Sequence, residues 1–338
     1  MRKSLTKSTG KKLWGLLFLL MLLLLAAAVG CNGEEKPAET EKITVTLDWT
    51  PNTNHTGLYV AVENGYFAEE GLEVEISQLS SGSVEQLVGS GNSHFGFSYQ
   101  ESVTFARIEE IPIVSLAAVI QHNTSGFASL KEKGIETPAD FAGKRYGGWG
   151  SPIEETTIRY LMEKYDTPFE DVEILTTGVV DFFAAAEREA DFSWIFYGWD
   201  GIAAELKGVE LNYIELREED SVFDYYTPVI VAGESLIEEN PDLANKFMNA
   251  LSKGYQFAIN EPGEAAEILL KHAPELEQDL VIASQEWLKD KYQADAPRWG
   301  WQDSTVWEEY SRWLYSQELI EEEPDAEAAF TNNYLPAE

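Results

Sequence analysis

The residues best suited to chemistry lie together at positions 48–55 (DWTPNTNH), called the polar loop below. The loop contains a carboxylate at Asp48, an indole at Trp49, side-chain amides at Asn52 and Asn54, and an imidazole at His55. An indole presents a flat apolar face for stacking, and the other four groups donate or accept hydrogen bonds. This combination favours non-covalent binding of a small, flat, polar molecule.

A strand and a helix flank the polar loop and must position it. Residues 43–47 alternate as ITVTL, which predicts a β-strand. Leu58, Tyr59 and Val62 then recur at helical spacing, and Gly65 predicts the end of that helix. Ligands of open α/β sheets bind at the carboxyl ends of strands. The polar loop is therefore a candidate binding site.

Three further predicted strands, at 94–98, 144–147 and 192–196, end in candidate ligand contacts. These contacts are Tyr99, Gln100, Glu101, Trp149, Gly150, Tyr197 and Trp199. Structural alternatives stay open for several of them: Glu101 can cap the helix that follows, and either Tyr197 or Trp199 can be structural. In the same way, the two Asn residues of the polar loop are common turn residues.

The loop after the strand at 144–147 has the sequence GGWGSPIEE. Ser151, Pro152 and Glu154 fit the N-cap, first and third positions of a helix, which predicts a capping box. The glycines before them have no such explanation. Glycine allows backbone N–H groups to approach a bound oxygen at a helix N-terminus. We therefore predict that Gly150 contacts a neutral ligand oxygen and that Trp149 forms a second aromatic wall.

The order of predicted elements divides the chain into two α/β lobes. Strands and helices alternate up to residue 120, the pattern breaks at 126–141, and it restarts at 144. We expect residues 43–125 and 228–338 to form the first lobe and residues 126–227 the second. The helical tail contains five tryptophans, which we expect to pack on the core of the first lobe: Trp287, Trp299, Trp301, Trp307 and Trp313.

The N-terminus predicts export. Basic residues at 2–12, an apolar run at 13–29 and small residues before Cys31, the single cysteine of the chain, predict a lipoprotein signal peptide over residues 1–30. Cys31 is then the lipidation site, which places the protein at the outer face of the bacterial cell membrane. A plain signal peptide and an uncleaved anchor are the alternatives. Residues 31–42 are predicted to be a flexible tether.

Charge and cysteine content exclude several functions. Removing the five basic residues of the leader from the 24 in the chain leaves 19 against 59 acidic residues, a net charge of −40. Such a field repels nucleic acid and anionic substrates. Without a cysteine after Cys31, the mature chain has no intramolecular disulfide, thiolate metal site or cysteine nucleophile.

The sequence DWTPNTNHTGLYVA, followed by GYFAEEGLEVEI, resembles the opening of the NMT1/THI5-like proteins, and the resemblance extends over nearly all of the chain after the leader. It implies a type II periplasmic-binding-protein fold, with the ligand in a cleft between two lobes that the chain crosses twice. Within the family, it implies a lipoprotein that delivers the thiamine precursor N-formyl-4-amino-5-aminomethyl-2-methylpyrimidine to an ABC permease and its ATPase.

Two alternatives to this function are weighed. Eukaryotic members of the family synthesise the pyrimidine with PLP, using a lysine near the corresponding loop and a cysteine-rich segment. Here residues 47–55 contain no lysine and Cys31 is the single cysteine of the chain. We therefore predict a binding protein with no catalytic residues, metal or cofactor. The second alternative is another cargo, riboflavin or a sulfonate. The shortage of basic residues in the predicted loops disfavours an anion.

Overall fold

The computed structural model describes residues 40–79, 82–178, 182–187 and 190–337. The predicted signal peptide, Cys31 and most of the tether lie outside these residues. Within them, no helix is long and apolar enough to cross a membrane.

Ten strands run through the described residues. In chain order they are β1 (Glu41–Leu47), β2 (Leu72–Gln78), β3 (Phe95–Ser98), β4 (Ile113–Ala118), β5 (Ser125–Leu130), β6 (Arg145–Gly148), β7 (Glu173–Thr176), β8 (Phe192–Phe196), β9 (Leu211–Glu215) and β10 (Val229–Gly233). They form two five-stranded sheets, with the orders β2-β1-β3-β10-β4 and β7-β6-β8-β5-β9.

Helices cover these sheets and connect their parallel strands. Those in the described ranges are α1 (Thr56–Glu63), α2 (Tyr66–Glu69), α3 (Val84–Gly89), α4 (Gln100–Ile108), α5 (Pro152–Lys164), α6 (Phe182–Glu187), α7 (Ile202–Leu206), α8 (Leu216–Glu219), α9 (Glu234–Glu239), α10 (Pro241–Asn260), α11 (Pro262–His272), α12 (Gln278–Leu288) and α13 (Ser304–Ser316).

The two sheets have matching designs. Each has three parallel strands, β2-β1-β3 or β7-β6-β8, followed by one antiparallel strand, β10 or β5. The antiparallel strand is in each case the one that enters from the other sheet. The first crossing (residues 119–124) leads from β4 into β5, and the second (residues 216–228) leads from β9 into β10. The predicted fold, two α/β lobes crossed twice, is therefore confirmed.

Two of the strands, β5 and β9, were not expected from the sequence. Residues 126–141 looked like a break because of their glycines, but Gly126 lies inside β5. A Cβ on Gly126 would lie 2.3 Å from the carbonyl oxygen of Ile214 and 2.7 Å from the ring of Tyr213. The glycine is needed because a neighbouring strand approaches closely, and this neighbour is distant in the sequence.

The tail packs on both lobes, contrary to the expectation that it joins the first. Trp299 is buried in the first-lobe core and stacks on Tyr255 with ring centroids 4.1 Å apart. Trp313 instead packs with second-lobe residues such as Phe223, at 5.0 Å between centroids. We propose that residues 119–124 and 216–228 bound the lobes and that residues 310–320 belong to the second-lobe core, whereas Trp307 packs with first-lobe residues.

Candidate functional site

A pocket lies between the two sheets, where β1, β3 and β8 end. It encloses about 550 Å³ of space between atoms, part of it open to solvent. First-lobe loops supply Asp48, Trp49, Asn52, Thr53, Asn54 and Tyr99; the crossings supply Ile120, Thr124, Thr227 and Pro228; the second lobe supplies Phe196, Gly198, Trp199 and Asp200; and α12 supplies Leu288.

Hydrogen bonds within the polar loop hold its shape. The side-chain oxygen of Asn52 accepts the N–H of Asn54 at 2.8 Å, and its side-chain nitrogen donates to the carbonyl of Thr50 at 3.1 Å. The backbone N–H of Asn52 donates to Nδ1 of His55 at 3.2 Å. Nε2 of His55 therefore carries the ring proton, and it lies 2.7 Å from the carboxylate of Asp48.

His55 lies beneath the pocket and does not face it. Its side chain is fully buried, and its ring meets that of Phe97 edge-on with centroids 4.7 Å apart. Both ring nitrogens of His55, a predicted ligand contact, are therefore used within the polar loop. The residue instead fixes the carboxylate of Asp48. Asn52 does line the pocket, but its polar atoms are committed to the loop in the same way.

Asp48 brings a negative charge to the pocket wall. Burial alone would raise the pKa of Asp48, but its pairing with His55 and the hydroxyl of Tyr99 outweigh burial and hold the pKa below its usual value. Burial, followed by the charge of Asp48, raises the pKa of Tyr99 well above its usual value. The pocket therefore offers an ionised carboxylate that accepts N–H donors, beside a neutral phenol.

Two indoles, from opposite lobes, and one amide complete the polar and aromatic lining. Trp49 follows β1 in the first lobe, and Trp199 follows β8 in the second. Both side chains are partly exposed, as is Asn54. Within the described part of the chain, the side-chain amide of Asn54 has no hydrogen-bond partner, so it remains available to a ligand.

Of the three residues after β3, only Tyr99 reaches the pocket. The side chain of Gln100 is fully buried: its oxygen accepts the N–H of Tyr226 at 2.8 Å and its nitrogen donates to the carbonyl of Val306 at 3.2 Å. Both polar atoms of Gln100, a predicted ligand contact, are therefore used within the chain, where they connect the second crossing to α13. Glu101 also lies outside the lining. Burial, followed by the charge of Glu85, raises its pKa to about 8.

The Gly-rich loop before α5 is filled by the chain's own carboxylate. Glu154 accepts hydrogen bonds from the backbone N–H groups of Trp149, Gly150 and Ser151, at 3.0, 2.7 and 2.7 Å. The N–H of Gly150, which we predicted to contact a ligand oxygen, therefore already has a partner within the chain. The side chain of Trp149 is 39 % exposed and meets Trp194 edge-on, outside the pocket lining.

Tyr197 and Trp199 follow the same strand but have different surroundings. Trp199 lines the pocket. The hydroxyl of Tyr197 donates to Glu205 at 2.5 Å, and its ring packs on Tyr213 and Trp287 outside the lining. Tyr197, a predicted ligand contact, therefore lies outside this lining, as Trp149 does, whereas Trp199 is the second-lobe tryptophan that lines the pocket.

Several lining residues were not anticipated. Thr227 and Pro228 lie at the return crossing, which the sequence did indicate, and Asp200 follows a strand end that we had singled out. Leu288 comes from a helix more than 200 positions after the polar loop, and no local pattern connects the two.

His122 joins the two crossings beside the pocket. Its Nδ1 lies 2.7 Å from the carboxylate of Asp224 in the second crossing, and its Nε2 lies 2.8 Å from Asp295, between α12 and α13. Carboxylate oxygens only accept hydrogen bonds, so the imidazole must carry two protons to satisfy both. The hydrogen bond to Asp224 is the largest influence that raises the pKa of His122, to about 9, and burial opposes it.

Replacing His122 with asparagine should therefore destabilise the protein in a pH-dependent way. The folded-state pKa of His122 lies above the usual histidine value of 6.5, so the stabilisation is complete below pH 6.5 and is lost as the pH rises through about 9. We expect a loss of about 1–2 kcal/mol near pH 6, after allowance for solvent screening, and little loss near pH 10. Urea denaturation of the wild type and the variant, from about pH 6 to about pH 10, measures this difference in the free energy of unfolding. A difference that does not change with pH would contradict the expectation.

The matched sheets, the double crossing and the pocket between the lobes define the two-lobed fold of the periplasmic binding proteins. The alkanesulfonate-binding protein SsuA from Xanthomonas axonopodis pv. citri, solved with bound MOPS, has the same fold. The TM-score is 0.68 over 87% of this chain and 99% of that one, at 13% sequence identity.

The chain belongs to the NMT1/THI5-like family, whose model matches residues 52–265. It is 31% identical to the formylaminopyrimidine-binding protein of Halalkalibacterium halodurans, over 95% of this chain and 99% of the relative. It is 23% identical to the 4-amino-5-hydroxymethyl-2-methylpyrimidine phosphate synthase THI13 of Saccharomyces cerevisiae, over 88% of each chain. The prediction of a binding protein, not an enzyme, is confirmed by the higher identity to the binding protein.

Proposed function

We propose that this protein is the substrate-binding component of an ABC importer and that its cargo is N-formyl-4-amino-5-aminomethyl-2-methylpyrimidine. The relative at 31% identity is named for binding a formylaminopyrimidine. In the pocket, Trp49 and Trp199 can stack on a pyrimidine ring, the free amide of Asn54 can bond to a ring nitrogen or the formyl oxygen, and Asp48 can accept the N–H groups of the exocyclic amine. The two lobes would close on the cargo by a hinge motion at the crossings.

The observation that carries this proposal is the charge of the lining. Among the described residues that line the pocket, none is Lys, Arg or His, whereas Asp48 and Asp200 are carboxylates. A sulfonate or phosphate placed there would lose its hydration without gaining a counter-charge, which is unfavourable. An uncharged heteroaromatic amine, in contrast, finds acceptors for its N–H groups and faces for its ring.

Isothermal titration calorimetry with the full chain tests the cargo. We expect the formylaminopyrimidine to bind with a sub-micromolar Kd, which corresponds to about −8 kcal/mol or better. Taurine, as a representative sulfonate, should not bind at millimolar concentration. Riboflavin is the third ligand of the series. Tighter binding of riboflavin or taurine than of the formylaminopyrimidine would reject the proposed cargo.

We also propose that the protein is anchored by acylation of Cys31 at the outer face of the cell membrane, where it meets its permease and ATPase partners. The support is the leader: basic residues, an apolar run and a single cysteine directly after small residues. The intact mass of protein extracted from membranes should correspond to a chain that starts at Cys31 and carries acyl groups. A mass that matches the unmodified chain would reject the anchor.

A further inference from the structure

Helix α12 contacts both lobes. It follows the second crossing, and from this position in the chain it is expected to belong to the first lobe alone. Val281 and Leu288 pack in the first-lobe core. On another side of the helix, Leu280 packs with Ile202 and Ala203 of the second lobe. The helix therefore lies where the two lobes meet, and its second-lobe contacts must change if the lobes separate.

One polar side chain, Ser284, lies within this apolar contact. It is fully buried in the middle of α12. Its hydroxyl donates to the backbone carbonyl of Gly198, in the second-lobe turn after β8. Because the single proton of Ser284 is used there, its oxygen accepts from the hydroxyl of Thr53 in the polar loop, and the two oxygens are 2.6 Å apart.

These two hydrogen bonds connect opposite walls of the pocket. Thr53 and Gly198 both line it, whereas Ser284 does not. The fit around Gly198 is close: a Cβ there would lie 3.1 Å from the ring of Trp287 and 3.2 Å from the side chain of Leu288. Glycine at this position lets the second-lobe turn rest directly on α12.

We propose that Ser284 is a positioning residue for ligand retention, which holds the lobes together around the pocket without touching the cargo. This inference rests on the proposed function only in requiring that the pocket binds a small molecule. In a closed form the Ser284 hydroxyl bonds to Gly198, and in an open form water takes the place of that carbonyl. Loss of the hydroxyl therefore leaves the carbonyl of Gly198 buried without its partner only when the lobes are closed, which is unfavourable.

Replacing Ser284 with alanine tests this role, with the formylaminopyrimidine as the probe. We expect the Kd to rise about threefold to tenfold, because one buried hydrogen bond is lost in the closed form. The change should appear in the dissociation rate measured by stopped-flow fluorescence, and the unfolding midpoint of the ligand-free protein should stay within about 2 °C. Ser252→Ala is the matched control, because Ser252 is a buried serine on α10, away from the second lobe.

A second variant, Gly198→Ala, places a methyl group against α12 and should weaken binding of the same probe at least as strongly. Unchanged affinity in Ser284→Ala would overturn the proposal, whatever the result for Gly198→Ala, because Gly198 itself lines the pocket. So would a Ser284→Ala protein whose ligand-free unfolding midpoint falls by well over about 2 °C, since the role would then be structural. Failure of the wild-type protein to bind the probe would reject the proposed cargo instead, and the two failures are thus distinguishable.

Discussion

Replacing Trp49 with alanine is expected to weaken binding of the formylaminopyrimidine more than tenfold, which corresponds to a loss of more than about 1.4 kcal/mol. The indole of Trp49 lines the pocket and is partly exposed. A stacked ring contributes about 0.5–1.5 kcal/mol beyond the apolar area that it buries, and truncation to alanine removes both contributions. Since the indole is partly exposed without ligand, the free energy of unfolding should change by less than about 1 kcal/mol.

Trp149→Ala is the matched control for this variant. From the sequence alone, both tryptophans are predicted to be aromatic walls of the site. The structure places Trp149 outside the pocket lining, against Trp194. We now expect its replacement to change the Kd less than about threefold. Isothermal titration calorimetry on both variants measures the two affinities. A loss of affinity in Trp149→Ala as large as that in Trp49→Ala would contradict the assigned pocket.

Replacing Glu154 with glutamine should lower the free energy of unfolding by about 2–4 kcal/mol. The carboxylate is 3% exposed. Besides the three backbone N–H groups of the loop, it accepts the hydroxyl of Tyr146 at 2.6 Å. A glutamine retains one oxygen but turns an NH₂ group towards at least one of these donors, which then loses its acceptor. The carboxylate lies so close to the loop that a Cβ on Gly148 would be only 2.0 Å from its oxygen, which is why glycine is needed there.

Glu155→Gln is the control for this stability effect. Glu155 is the next residue along the helix, but it is half exposed and pairs with Arg159 at the surface. Such a pair contributes little, so we expect a change below about 0.5 kcal/mol. Chemical denaturation of the two variants at one pH provides the comparison. If Glu154→Gln unfolds within 0.5 kcal/mol of the wild type, roughly the surface-variant range, the carboxylate does not organise the loop as described.

Much of the architecture followed from local patterns. Alternation predicted a strand at 43–47, which lies within β1, and the strand predicted at 192–196 has the bounds that the structure has. Strand–loop–helix order placed the polar loop at the carboxyl end of a strand, where it lines the pocket. The capping box at Ser151 and Glu154 was likewise readable, because its partners are three residues apart. These features depend on neighbours within about one turn or one strand.

Side-chain direction at the site did not follow from such patterns. Asn52 and His55 lie in the polar loop as expected, but whether an amide or imidazole turns towards a ligand or into the loop depends on hydrogen bonds and on the packing of Phe97 below. Packing also decides whether Trp149 or Trp199 lines the pocket. Both follow strands of one sheet, and their burial is set by contacts from other segments.

The sequence by itself determined the fold class, the family and the region of the binding site, because alternation, helical spacing, capping and the DWTPNTNH motif are local. Tertiary structure alone decided which side chains enter the pocket and how the tail is shared between the lobes. Those choices depend on contacts such as Thr53 with Ser284 and Phe223 with Trp313. Residues so far apart in the chain come into contact only when both lobes are folded, so no local sequence pattern predicts these contacts.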